Sequence, residues 1–181
     1  MNAGIKFNGR LKIQTLKDNC VTGEWTNENT MCIAGLSDIA AAIAYLGVQD
    51  IANNIDTVPA VITPIYGALG SGDVVTYPPS VVDTTLVNEL ASPYGRTTAS
   101  SSAFAPALGT NPAQVIWQFA FPINTSGSNF TVTEAGIFAL ASSASGSGDM
   151  IDHAAFKPTV TWPNGQSLIL SLQLSLYAVA W

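Results

Sequence analysis

Residues 130–177, FTVTEAGIFALASSASGSGDMIDHAAFKPTVTWPNGQSLILSLQLSLY, read as strand, flexible loop, strand, turn and strand, and close on a two-residue alternation. Leu168, Leu170, Leu172, Leu174 and Leu176 fall on one side, with Ser167, Ile169, Ser171, Gln173 and Ser175 on the other. Only extended backbone sends successive side chains to opposite faces, so the pattern predicts a strand with one leucine-lined buried face. The stretch builds a wall and holds no catalytic group in a recognisable arrangement. Function is therefore sought in surfaces and assembly.

Working outward, strands are expected near 97–105, 114–121, 130–140, 150–156, 158–162 and 167–180, with the Ser/Gly-rich tract 141–148 as a loop. Residues 58–69 read as a strand whose Pro59 and Pro64 favour an edge. Two helices are predicted. Ser37 caps an alanine-rich one ending at Gly47, and Asp83 caps a short one over 83–90. Many short strands between Gly/Pro/Asn/Ser turns then spell a mainly β fold, an antiparallel, jelly-roll-like β-sandwich carrying those two helices.

At the N-terminus, Ile5, Phe7, Leu11 and Ile13 alternate about Asn8-Gly9, a strong hairpin signal, whereas 18–30 look irregular. The expected organisation is a basic N-terminal arm or hairpin over 1–28 and a sandwich domain over 29–181. Charge supports that division. Of six basic residues, Lys6, Arg10, Lys12 and Lys17 precede every one of the twelve acidic ones, which leaves a strongly acidic body. Such an arm suits docking on an acidic protein surface, and four dispersed charges without interleaved aromatics argue against nucleic acid. On this view the arm is separable, and its deletion leaves a folded sandwich.

Only 10% of the 181 residues are charged while 48% are hydrophobic, so part of the surface is expected to be covered by a partner or by copies of the chain. No signal-peptide core and no membrane-length apolar run is present, which predicts a soluble protein made in a cytoplasm. Cys20 and Cys32 lack the neighbours of a zinc framework, and they are expected to be free buried thiols.

Chemistry is sparse. His153, the one histidine, adjoins Asp152 in a predicted strand, where neighbours point to opposite faces and form no relay between themselves. Asp149, Asp152 and Asp73 do not match a calcium-loop spacing, and no phosphate-cradling motif occurs. No cofactor, no metal and no enzymatic activity are expected. Two residues stand out: Glu134 between apolar neighbours in a strand, and Arg96 in the acidic body. A carboxylate buried in a sandwich needs a partner, so Arg96 and Glu134 are predicted to form a structural ion pair.

Six short motifs, in order, resemble those of a family of tailed-bacteriophage structural proteins. They are NTMCIAGLSDIAAAIAYL (29–46), IYGALGSG (65–72), VDTTLVNE (82–89) followed by Arg96, EAGIF (134–138), FKP (156–158), and the closing strand 168–177. The resemblance implies a virion component with a β-sandwich core. Family members are assigned to tail fibres, baseplates and capsid surfaces. With no heptad, collagen-like or β-helix repeat for a shaft, the leading expectation is a capsid decoration or cement protein, in virions assembled in a bacterial cytoplasm. Lys6, Arg10, Lys12 and Lys17 would attach it to the major capsid protein or another virion protein. A homo-oligomer, by preference a trimer, is expected, with no nucleic-acid or membrane partner. The alternative is a tail fibre, baseplate or receptor-binding component.

Overall fold

The computed structural model describes residues 3–32, 66–105, 108, 112–139, 144 and 148–180. Among these residues, nine strands form one antiparallel sheet: β1 (Ala3–Lys17), β2 (Cys20–Glu28), β3 (Thr30–Met31), β4 (Tyr66–Gly70), β5 (Arg96–Ala105), β6 (Ala113–Phe121), β7 (Phe130–Ala139), β8 (Asp149–Trp162) and β9 (Ser167–Ala180). Their order is β2-β1-β9-β6-β5-β4-β7-β8-β3. Because β3 continues β2 past Asn29, the two outer strands of that order are one stretch of chain. It pairs with β1 along β2 and with β8 along β3, opposite His153 and Asp152. The Asn27 side-chain amide also donates to the Ala155 carbonyl of β8. The sheet thus curls into a nearly closed barrel.

This corrects the sandwich. A sandwich and a barrel share the same in/out alternation, and what separates them is which strands pair. The deciding contact is β1 against β9, in continuous register from Ala3↔Ala180 to Leu16↔Ser167. Leu168, Leu170, Leu172 and Leu174 of β9 fill the interior with Leu11, Ile13, Phe119, Phe121, Val132, Ile137, Phe156 and Trp162.

The expected N-terminal arm or hairpin takes part in the same pairing. Residues 3–28 are two long strands of the barrel wall. The chain runs straight through Asn8-Gly9, which oppose Ser175 and Leu174. Gly9 leaves room there for the Asn29 side chain crossing it, which a Cβ would displace. The hairpin turn is Asp18-Asn19, where φ is 50° and 63°, joining Lys17 directly to Cys20 across the ladder. Positive φ at both central residues matches the strand twist, and Asp and Asn tolerate it better than most residues.

Among the described residues there is no helix. The alanine-rich helix and its cap Ser37 lie outside them. The short helix over 83–90 is corrected to an irregular segment of a long loop, 71–95, laid over the outer face of β7 and β8. The amides of Val87 and Asn88 donate to the Glu134 carboxylate at 3.0 and 2.9 Å, where a helix would need them for its own carbonyls. Leu90 N donates to Leu69 O at 2.9 Å, and Ser71 N to Asn88 O at 2.8 Å. Tertiary partners outbid the local capping signal.

The strand boundaries from β5 to β9 lie close to those expected, except that β8 runs unbroken through Pro158.

Candidate functional site

Beneath loop 71–95 lies a second, smaller core of Cys32, Ala68, Leu86, Phe138 and Met150. It sits on the barrel's outer side, because β7 places Val132, Ala135 and Ile137 inward and Glu134 and Phe138 outward. His153 of β8 is opposite Gly136 and therefore shares the outward face with Glu134. Buried polar groups gather at this seam.

Glu134 is fully buried and is its hub. Oε1 accepts the amides of Gly72 (3.1 Å) and Asn88 (2.9 Å), and Oε2 accepts that of Val87 (3.0 Å) and faces His153 Nε2 at 3.0 Å. Burial pushes its pKa up, but the hydrogen bonds from His153 and from the Asn88 and Val87 amides outweigh burial and hold it below the usual value. Glycine is needed at 70 and 72, where a Cβ would stand 2.5 Å from Glu134 Oε1. On the other side of the ring, His153 Nδ1 lies 2.7 Å from Asp83 Oδ2, which also accepts the Ser80 amide at 2.7 Å. Asp83 is thus a fastener of the loop and caps no helix.

Arg96 has a different partner from the one expected. Its Nε and Nη2 meet the two Glu89 oxygens at 2.6 and 3.0 Å, with both side chains almost wholly buried. The guanidinium also lies 4.1 Å above the Phe138 ring. Arg96 and Glu134 are both buried, and each is satisfied separately. Replacing Arg96 with Met is expected to destabilise the fold by about 3–5 kcal/mol, because Glu89 would remain buried without its counter-charge. Urea denaturation of Arg96→Met and of the double variant Arg96→Met/Glu89→Leu checks this. The double variant should recover most of the loss, and a single variant as stable as the parent would exclude the assignment.

The remaining expected residues are dispersed. Arg10 and Lys17 are exposed on β1, Lys12 is 3.7 Å from Glu24, and the Lys6 side chain lies outside the described residues. Arg10 and Lys12 border an open cleft of about 320 Å³ on the outer wall, with Glu24, Gln118 and Gln173. The Asp73 carboxylate is occupied by Thr76 Oγ1 and the amides of Val75 and Thr76, while Asp152 is buried and accepts the Asn29 side-chain amide. Burial raises Asp152 well above the usual carboxylate range. Cys20 is exposed, contrary to expectation, and Cys32 is buried; neither is in a disulfide. Among the described residues no group of His, Cys, Asp and Glu side chains is arranged to hold a metal ion.

No protein-family model, curated protein or solved structure matches this chain.

Three of the six motifs quoted for the phage resemblance meet in space. IYGALGSG supplies the Gly72 amide, VDTTLVNE supplies Asp83, Glu89 and two amides, EAGIF supplies Glu134 and Phe138, and Arg96 closes the set. His153 and Glu89 are the members that sequence reasoning missed. A hairpin folded about 141–148 carries the signal for His153, since it brings 149–155 against 134–139 and the lone histidine within a residue pair of Glu134.

Proposed function

We propose that this chain is a structural protein of a tailed-bacteriophage virion, and most specifically a capsid decoration or cement protein. One observation carries the reading: three of the six motifs of the resemblance converge on the buried Glu134–His153–Asp83 and Arg96–Glu89 contacts that fix loop 71–95 to the barrel. The polar groups of these contacts are satisfied by one another and by backbone amides of the loop. The effect is rigidity, which suits a particle component that must keep its shape under mechanical load.

Attachment is assigned to the outer wall of β2, β1, β9 and β6. There Arg10 and Lys12 stand among Gln, Ser and Thr side chains with Glu24 as the one acidic neighbour among the lining residues, a net basic patch suited to an acidic virion protein. Because β1 is built into the barrel, attachment by this wall replaces attachment by a free arm. A tail component is the second reading. It is favoured by Val75, Tyr77 and Val82, which are 75%, 62% and 66% exposed on a loop held firmly from below.

Quantitative mass spectrometry of purified particles, referenced to the major capsid protein, tests both. Hundreds of copies per particle are expected for decoration, and about three to a few tens for the tail. Absence of the chain from purified particles would overturn the proposal altogether.

A further inference from the structure

The ring of His153 is held between two carboxylates, Asp83 Oδ2 at 2.7 Å on Nδ1 and Glu134 Oε2 at 3.0 Å on Nε2. Its side chain is only 1% exposed and that of Glu134 is fully buried, against 25% exposure for Asp83. A neutral imidazole has one N–H and one lone pair, so one of these contacts would set a lone pair against a carboxylate oxygen. Glu134 does not supply the missing proton, because three backbone amides already donate to its two oxygens. The arrangement is satisfied when the ring carries both protons.

What the ring joins is decisive. Glu134 belongs to the barrel wall and Asp83 to the loop, so the doubly protonated ring is a tie between them. Directly under the tied loop is Cys32, which is 1% exposed, packs with Leu86, Phe138 and Met150, and lies with its Sγ 3.8 Å from Ser80 O.

We propose that His153 is a proton-operated latch: doubly protonated, it fastens the Ser80–Asp83 end of loop 71–95 to β7, and loss of one proton loosens that end and uncovers Cys32.

The surroundings of the ring are simple. The loop contributes Asp83 and β7 contributes Glu134. From β3, Thr30 stands opposite without charge, and Cys32 follows the strand's end. Asp152, next to His153 on β8, is opposite Ile137 and faces the barrel side, and Glu89 is taken by Arg96. Among the described residues the charges acting on the ring are those of Glu134 and Asp83.

Burial lowers the ring's pKa, but the hydrogen bonds to Glu134 and Asp83 and their charges more than reverse this, leaving it above the usual 6.5. A raised folded-state value means that the latch's contribution is complete below the unfolded value of about 6.5 and is lost as pH rises through the higher folded value. Glu134, held below its usual 4.5, adds stability that is present above that pH and lost as pH falls through its folded value. The latch therefore holds below the ring's raised folded value and opens as pH climbs above it.

Two measurements on the full chain test it. The single histidine gives one imidazole NMR signal, whose titration midpoint is read directly. Maleimide labelling of Cys32, divided by that of exposed Cys20 in the same molecule, removes most of the reagent's own pH dependence. The ratio is expected to rise at least tenfold across the ring's midpoint. It should be high and flat in His153→Gln, and should keep its step in Asp152→Asn. A ring that titrates with no change in the ratio would overturn the latch, as would a step that disappears in Asp152→Asn. Should His153→Gln fail to fold, coincidence of the two wild-type midpoints still decides, and midpoints more than one pH unit apart count against the proposal.

Discussion

Removal of residues 1–17 is expected to abolish folding, and not attachment alone. Those residues are β1, which lies between β2 and β9 and is paired with both. Leu11 and Ile13 are fully buried in the main core. Truncating one such side chain to alanine typically costs about 2–5 kcal/mol, and a whole domain's net stability is about 5–15 kcal/mol. Loss of both, together with the β1–β9 ladder, exceeds what a domain of this kind can lose. The deletion variant should give a circular dichroism spectrum without a cooperative melt and a collapsed NMR dispersion. A truncated protein that melts cooperatively would restore the separable arm and refute the barrel's closure through β1. The test also bears on function, since a particle lacking the truncated protein would say nothing about which residues dock.

Glu134→Ala is expected to be the most damaging single substitution, lowering stability by at least about 4 kcal/mol. The amides of Gly72, Val87 and Asn88 and the His153 ring would all lose their acceptor in a buried place, and each stranded donor costs about 1–3 kcal/mol. Glu134→Gln should be milder, because one amide oxygen still accepts while the NH₂ group faces donors. Urea titrations of the two variants give the comparison. A loss under about 1 kcal/mol for Glu134→Ala would mean that loop 71–95 is held by its apolar contacts, and the hub assignment would fail.

Much of the wall was legible in the sequence. The leucine alternation of β9 and the runs that became β5, β6 and β7 carry the period of a half-buried strand, and burial enforces that period locally. Closure was not legible, because the choice of β1 as the partner of β9 rests on pairing across nearly the whole chain, to which local alternation is blind. Asn8-Gly9 misled for a related reason. Asn-Gly signals a turn by its backbone freedom, but here the glycine serves a crossing by Asn29 and the turn falls to Asp18-Asn19. The candidate site was half visible. A carboxylate between apolar neighbours marked Glu134, yet its main partners are backbone amides, which no side-chain pattern announces. The same amides explain why 83–90 resembled a helix, since Asp83 and the Leu86/Leu90 spacing are helical signals consumed by other contacts.

The pairing of β1 with β9 also sets a timetable. Leu11 meets Leu172 only after the rest of the barrel has been made, and at ordinary translation speeds that interval is roughly ten to thirty seconds. Through it the β1–β2 hairpin has a local partner on one edge and an unpaired apolar strand on the other, an adhesive margin on the ribosome. Crowding several nascent copies on one message would bring such margins together. The yield of this protein is therefore expected to depend on how far apart its ribosomes run as much as on how stable the finished barrel is.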